Sequence, residues 1–226
     1  MKNYVVGIIS LLATFNLNAQ RVVEKLITVN PSTNLELNLD FADTIHIKQS
    51  KDNSIRIKAV VNINDNQHND KYELITDEGS QSLRVSAKVR DMESIRVPCK
   101  NQHGSSFGYH DGKCLSMIIN YEIEVPTLAD IKVETISGDI TIDNGNCPMS
   151  IKSISGFIDL TIPATSNSDI SISTITGGVY SNQEINKEKS DFDSNPGGTR
   201  ANIQLNSGGN RIKLNTISGD IFLRKI

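Results

Sequence analysis

The chain has 226 residues, room for one elongated domain or two small ones, and a formal net charge of −3. Its basic residues form no strong patch. Lys187-Glu188-Lys189 and Arg224-Lys225 stand isolated, which argues against a nucleic-acid partner. There is no Trp and aromatics are 5%, which argues against a sugar groove lined with stacking rings, though a small one still fits.

Residues 1–19 read as a secretory signal. Lys2 supplies a positive start, Val5–Leu12 a short apolar run, and Asn18-Ala19 a small residue before Gln20. Cleavage is expected after Ala19, leaving residues 20–226 as a single exported β-rich domain. Loss of Lys2, the segment's only charged residue, moves the net charge from −3 to −4. No Cys follows the apolar run, which argues against lipid attachment there. No other stretch approaches the ~18 apolar residues of a membrane helix. The expected location is the periplasm, the cell surface or the medium.

Beyond the signal, the ordered stretches alternate with period two, the mark of a strand with one face buried. Leu35, Leu37 and Leu39 come first, then Ile45 and Ile47. Ile55, Ile57, Ala59, Val61 and Ile63 follow, then Leu83, Val85, Ala87 and Val89. Clusters such as Asn30-Pro31-Ser32 and Asp77-Glu78-Gly79-Ser80 bound them as turns. A long strand over Leu115–Val125 ends at Pro126. From Ala129 the strands shorten: Ile131 and Val133, Ile140 and Ile142, Ile151, then Ile158, Leu160 and Ile162, then Ile170 and Ile172. No stretch shows a helical period. The fold class expected is all-β.

One phrase recurs: Thr135-Ile136-Ser137-Gly138-Asp139-Ile140, Ser153-Ile154-Ser155-Gly156-Phe157-Ile158 and Thr216-Ile217-Ser218-Gly219-Asp220-Ile221. A degenerate copy is Thr174-Ile175-Thr176-Gly177-Gly178-Val179. Successive copies start 18, 21 and 42 residues apart. A period near 20 predicts a β-solenoid, a parallel β-helix-like stack of coils, with longer strands in its N-terminal part. Gly138, Gly156, Gly177 and Gly219 are expected to take positive φ at a sharp corner. Asp139 and Asp220 are expected to accept backbone N–H groups there. Ile136, Ile154, Ile175 and Ile217 should form an apolar ladder, with the Thr and Ser hydroxyls outside it. The last copy is expected in the outermost coil, about four coils from the first. Residues 181–198 read as a loop or weak coil, and Asn206-Ser207-Gly208-Gly209-Asn210 as a hairpin-like or coil turn.

The run Glu124-Val125-Pro126-Thr127-Leu128-Ala129-Asp130-Ile131-Lys132-Val133 leading into the first copy resembles bacterial "putative adhesin" domains of unknown function. So does the closing stretch Ile212–Leu223. The similarity covers roughly residues 33–226. It implies a β-solenoid-like fold, export and an adhesin label, and carries over no catalytic residue. The Cys99–Cys114 insertion is not part of that pattern.

The three cysteines are Cys99, Cys114 and Cys147. In an exported chain a Cys99–Cys114 disulfide is the leading reading, and closing such a loop stabilises by roughly 3 kcal/mol in the chain-entropy model. The competing reading is a Zn or Cu site of Cys99, His103, His110 and Cys114. Cys147 is left free or paired with another chain. Asp139, Asp143, Asp159 and Asp220 read as turn residues before a Ca²⁺ or carboxylate-pair site. His46 and His68 read as surface residues, and no hydrolase elbow or phosphate loop is present. No cofactor is expected. The function expected is a non-catalytic, adhesin-like binding or structural module of the cell envelope, its partner a glycan or another envelope protein. The alternatives are a β-helix carbohydrate-active enzyme and an envelope scaffold or stress-accessory protein.

Overall fold

The computed structural model describes residues 20–99, 106–110, 112–185 and 190–226, with the backbone alone for 106–110. Residues 1–19, read from sequence as a signal, and His103 lie outside the described residues. The strands are β1 (Arg21–Thr28), β2 (Asn34–Asn38), β3 (Phe41–Gln49), β4 (Ser54–Ile63), β5 (Tyr72–Glu78), β6 (Ser82–Val89) and β7 (Val97–Pro98). Then come β8 (Ser106–His110), β9 (Lys113–Val125), β10 (Asp130–Thr135), β11 (Ser137–Ile142), β12 (Met149–Ser155) and β13 (Ile158–Ile162). The remainder are β14 (Ser168–Thr176), β15 (Val179–Ser181), β16 (Asp191–Asn195), β17 (Gly198–Leu205), β18 (Asn210–Ser218) and β19 (Ile221–Lys225). The protein is all-β, with one short 3₁₀ turn at Asn69–Lys71. No helix among the described residues is long and apolar enough to cross a membrane.

The strands form two large mixed sheets. The first runs β1-β4-β9-β3-β11-β13-β19-β15 and the second β16-β17-β14-β18-β12-β10-β2-β6-β5. From β9 to β15 and from β6 to β14 the neighbours are parallel. The chain passes from the second sheet to the first within each of the pairs β2/β3, β10/β11, β12/β13, β18/β19 and β14/β15. Each pair is therefore one layer of a stack. Antiparallel strands close the ends: β1, β4 and β5 at one, β17 and β16 at the other.

The period-two pattern sets which residues the two sheets enclose. Ile45, Ile140, Ile158 and Ile221 are in register across the first sheet. Leu35, Ile131, Met149, Ile212 and Ile170 are in register across the second. All are buried in one core that runs through both sheets. Each such side chain stabilises by roughly 1.5–3 kcal/mol through its removal from water.

The stacking order departs from the sequence order. The layer of β18 and β19 stands between that of β12 and β13 and that of β14 and β15. The last copy of the phrase is thus interior, not outermost. The lengths and burial of the strands fit this. β19 has buried apolar residues, Ile221 and Leu223, and neighbours on both sides. β15 is three residues long and closes the sheet. Asn206–Asn210, read as a hairpin-like or coil turn, closes no hairpin: β17 and β18 flank β14 and do not pair with each other. The connecting turn is pinned over the start of β14. Asn210 N–H donates to the Asn167 carbonyl at 3.0 Å, and Asn206 Nδ2 donates to the Ser166 carbonyl at 2.7 Å. Residues 181–198, read as a loop or weak coil, hold β16 and the Pro196-Gly197 turn of a hairpin that β17 completes. The strands β1, β5, β7, β8 and β16 were not singled out by the sequence.

Candidate binding surface

The corner where the chain leaves the second sheet reverses one expectation. Thr135, Ser153, Thr174 and Thr216 are buried, while Ile136, Ile154, Ile217 and Ile175 are 38%, 43%, 46% and 56% exposed. The corner carbonyls supply the reason, because hydroxyls turned inward satisfy them. Thr135 Oγ1 donates to the Leu39 carbonyl at 2.7 Å, and Thr174 Oγ1 to the Gly219 carbonyl at 2.9 Å. Ser153 Oγ reaches the Ser155 carbonyl at 2.9 Å, and Thr216 Oγ1 the Gly156 carbonyl at 3.3 Å. The register then sets the isoleucines in one exposed row, in the order 136, 154, 217, 175.

Gly138, Gly156, Gly177 and Gly219 have φ of 112°, 117°, 153° and 148°. Asp139 Oδ1 accepts from Phe157 N–H at 3.1 Å, and Asp220 Oδ1 from Gly178 N–H at 2.7 Å. These carboxylates are two strands apart, about 10 Å, not four coils. Phe157 stands between them. Asp159 faces Arg224, whose Nε donates to both its oxygens at 2.8 Å. Asp143 Oδ2 meets His46 Nε2 at 2.8 Å.

On the outer face of the first sheet the stacking order assembles an aromatic cluster that the sequence order concealed. Phe157 and Phe222 meet edge to face at 6.1 Å between centroids, and Tyr180 stacks on Phe222 at 5.3 Å. The Arg224 guanidinium lies 5.1 Å from the Phe222 centroid, a cation–π contact. The Tyr180 ring lies over Gly178, where a Cβ would come within 2.6 Å of its hydroxyl. Gly178 stands where the other copies carry Asp or Phe, so the degenerate copy leaves room for the ring.

Cys99 and Cys114 form a disulfide that ties the end of β7 to β9. Both sulfurs are bonded to each other, so the Cys99, His103, His110 and Cys114 metal site is ruled out as drawn. His103 is outside the described residues, and of His110 only the backbone in β8 is described. Cys147 is free and buried, and burial pushes its thiol pKa up, which disfavours the reactive thiolate.

No family model matches the chain, and no curated protein matches it. Among solved structures it is similar to a "putative cell adhesion protein" from Clostridium sporogenes ATCC 15579. That similarity covers 92% of this chain and 100% of the other, at 14% identity and a TM-score of 0.52. What the two share is a fold. A "putative adhesin" from Parabacteroides merdae ATCC 43184 matches at 16% identity and a TM-score of 0.26, over 71% of this chain and 64% of that one. Another, from Bacteroides fragilis NCTC 9343, matches at 12% identity and 0.24, over 92% and 99%.

Proposed function

We propose that this chain is an exported, non-catalytic binding module of the cell envelope, adhesin-like, and that its layers form a short β-solenoid closed at both ends by antiparallel strands. The observation that carries the reading is the pair of open sheet faces. Outward positions in the parallel layers alternate with buried ones and line up in register, strand after strand, with Ser, Thr, Asn and Lys prominent. Such faces suit extended partners such as a glycan or another envelope protein. The Cys99–Cys114 disulfide fits an oxidising compartment. The acids that a carbohydrate-active enzyme would need free are engaged: Asp139 and Asp220 by backbone N–H groups, Asp159 by Arg224.

The test is expression of residues 1–226 in a Gram-negative host, with fractionation, intact mass and thiol labelling under denaturing conditions. The expected product begins at Gln20, lies outside the cytoplasm and shows one reactive thiol, at Cys147. A cytoplasmic product that keeps Met1 and shows three thiols would overturn the export reading.

A further inference from the structure

On the outer face of the second sheet, β12, β18, β14 and β17 lie side by side, about 4.8 Å apart. Lys152 on β12, Arg211 and Lys213 on β18, and Arg200 on β17 are exposed on this face. The other described arginines have their guanidinium groups engaged. Arg56, Arg84, Arg90, Arg96 and Arg224 each hold a carboxylate, and Arg21 donates to the carbonyls of Asn69 and Tyr72. Among the described residues, Arg200, Arg211, Lys152 and Lys213 are in no ion pair. The acids in register with the two arginines are turned elsewhere. Asp169, opposite Arg211, accepts from Gln204 Nε2 at 3.3 Å and from Gly209 N–H at 3.1 Å. Asp193, opposite Arg200, accepts from Asn195 Nδ2 at 2.9 Å.

Between these cations the sheet surface dips over a small residue. Asp169 and Ser171 of β14 form the floor, with Arg211 and Lys213 of β18 on one side and Asn202 and Gln204 of β17 on the other. The trough has a volume of about 540 Å³, within the ~300–1,000 Å³ of small-molecule sites. It offers two cations in no ion pair, a hydroxyl, the free amide of Asn202 and that of Gln204, which holds the Asp169 carboxylate, with Lys152 and Arg200 in the neighbouring outward positions. Asp191 and Asp193 lie beyond it on β16. An electropositive face on a chain of net charge −3 calls for an anionic partner, and its polar floor for one rich in hydroxyls.

We propose that this trough binds an acidic polysaccharide. Arg211 and Lys213 take its carboxylate or phosphate groups, while Asn202, Gln204 and Ser171 hydrogen-bond its hydroxyls. Lys152 and Arg200 extend the track across the strands. An anionic bilayer fits less well. The apolar row that would have to enter it, Ile136, Ile154, Ile217 and Ile175, is bordered across the corner by Asp139 and Asp220. The proposal rests on the binding-module reading and gives it a ligand class.

The experiment is titration calorimetry on residues 20–226 with the disulfide intact. The probes are a polyuronate oligomer and neutral cellohexaose. A parallel co-sedimentation uses vesicles of phosphatidylcholine with and without phosphatidylglycerol. The expected result is binding of polyuronate alone, weakening steeply between about 0.05 and 0.5 M salt. Arg211→Gln with Lys213→Gln should weaken it about tenfold or more. Arg56→Gln, on the other sheet, should leave it unchanged. Circular dichroism melts verify that the variants fold. Silence toward polyuronate, equal affinity for cellohexaose, indifference to the double variant, or capture by anionic vesicles alone would each overturn the proposal. An exported protein that ignores polyuronate loses this site only; a cytoplasmic one loses the envelope reading.

Discussion

Gly219 faces the backbone of the next layer so closely that a Cβ would stand 2.1 Å from the Gly156 carbonyl oxygen, and its φ is 148°. Gly138 meets Ala42 in the same way, at 2.6 Å from its carbonyl oxygen. Strain and overpacking coincide at both sites. Gly219→Ala and Gly138→Val should therefore each cost about 3 kcal/mol, read as a lower Tm. An unchanged melt would remove the corner account. The Tyr72 and Tyr121 hydroxyls lie 3.1 Å apart in the core. Burial pushes the Tyr72 phenol up to about 12 and Tyr121 in the same direction, from the ordinary 10.0. Both pKa values are raised on folding, so the stability gained is complete below pH 10 and is lost as pH rises through the folded values. Melts should show a falling Tm between about pH 10 and 12. Replacing both residues by Phe should flatten that fall; an identical fall would sink the assignment. Neither tyrosine was legible as a pair, because 49 residues separate them in sequence.

Within an element, the alternation decided more than hydrophobicity did. Counting by twos from Ile131 and Val133 places Thr135 inward and Ile136 outward, as observed. The sequence held that signal, but an isoleucine invites assignment to the core. The corner at Gly219 resets that rhythm between two isoleucines four residues apart: Ile217 on β18 is exposed, and Ile221 on β19 is fully buried. Ile217→Ser should change stability by less than about 1 kcal/mol, while Ile221→Ala should cost about 2–5 kcal/mol. Denaturant melts of the two variants check this, and equal losses would contradict the burial. The strands at Leu35–Leu39, Ile55–Ile63 and Leu115–Val125 were plain from period and turn residues. β1 was not: its exposed Val22 and Leu26 alternate with only half-buried partners, the weak pattern of an edge.

At the scale of the whole molecule, the all-β class and the layered repeat were legible, while the layer order was not. Copies of one phrase pair equally well in any order. What separates them lies off the phrase, in Phe222 stacking on Tyr180. The candidate trough was hidden for the same reason, since it needs β17 and β18 on either side of β14. Removing β18 and β19 by ending the chain at Leu205 should therefore abolish the cooperative melt, because it takes an interior strand out of each sheet. A sharp transition near the parent Tm would refute the order. The same placement governs how the molecule carries load. A pull that enters at Gln20 and leaves at Ile226 is borne by the first sheet from β1 to β19. The layers beyond, β14 with β15 and then β17 and β16, lie outside that path. A tether at both ends of that path would thus load the stack from β1 to β19 and leave the layers beyond, with the β14 and β17 parts of the trough, slack.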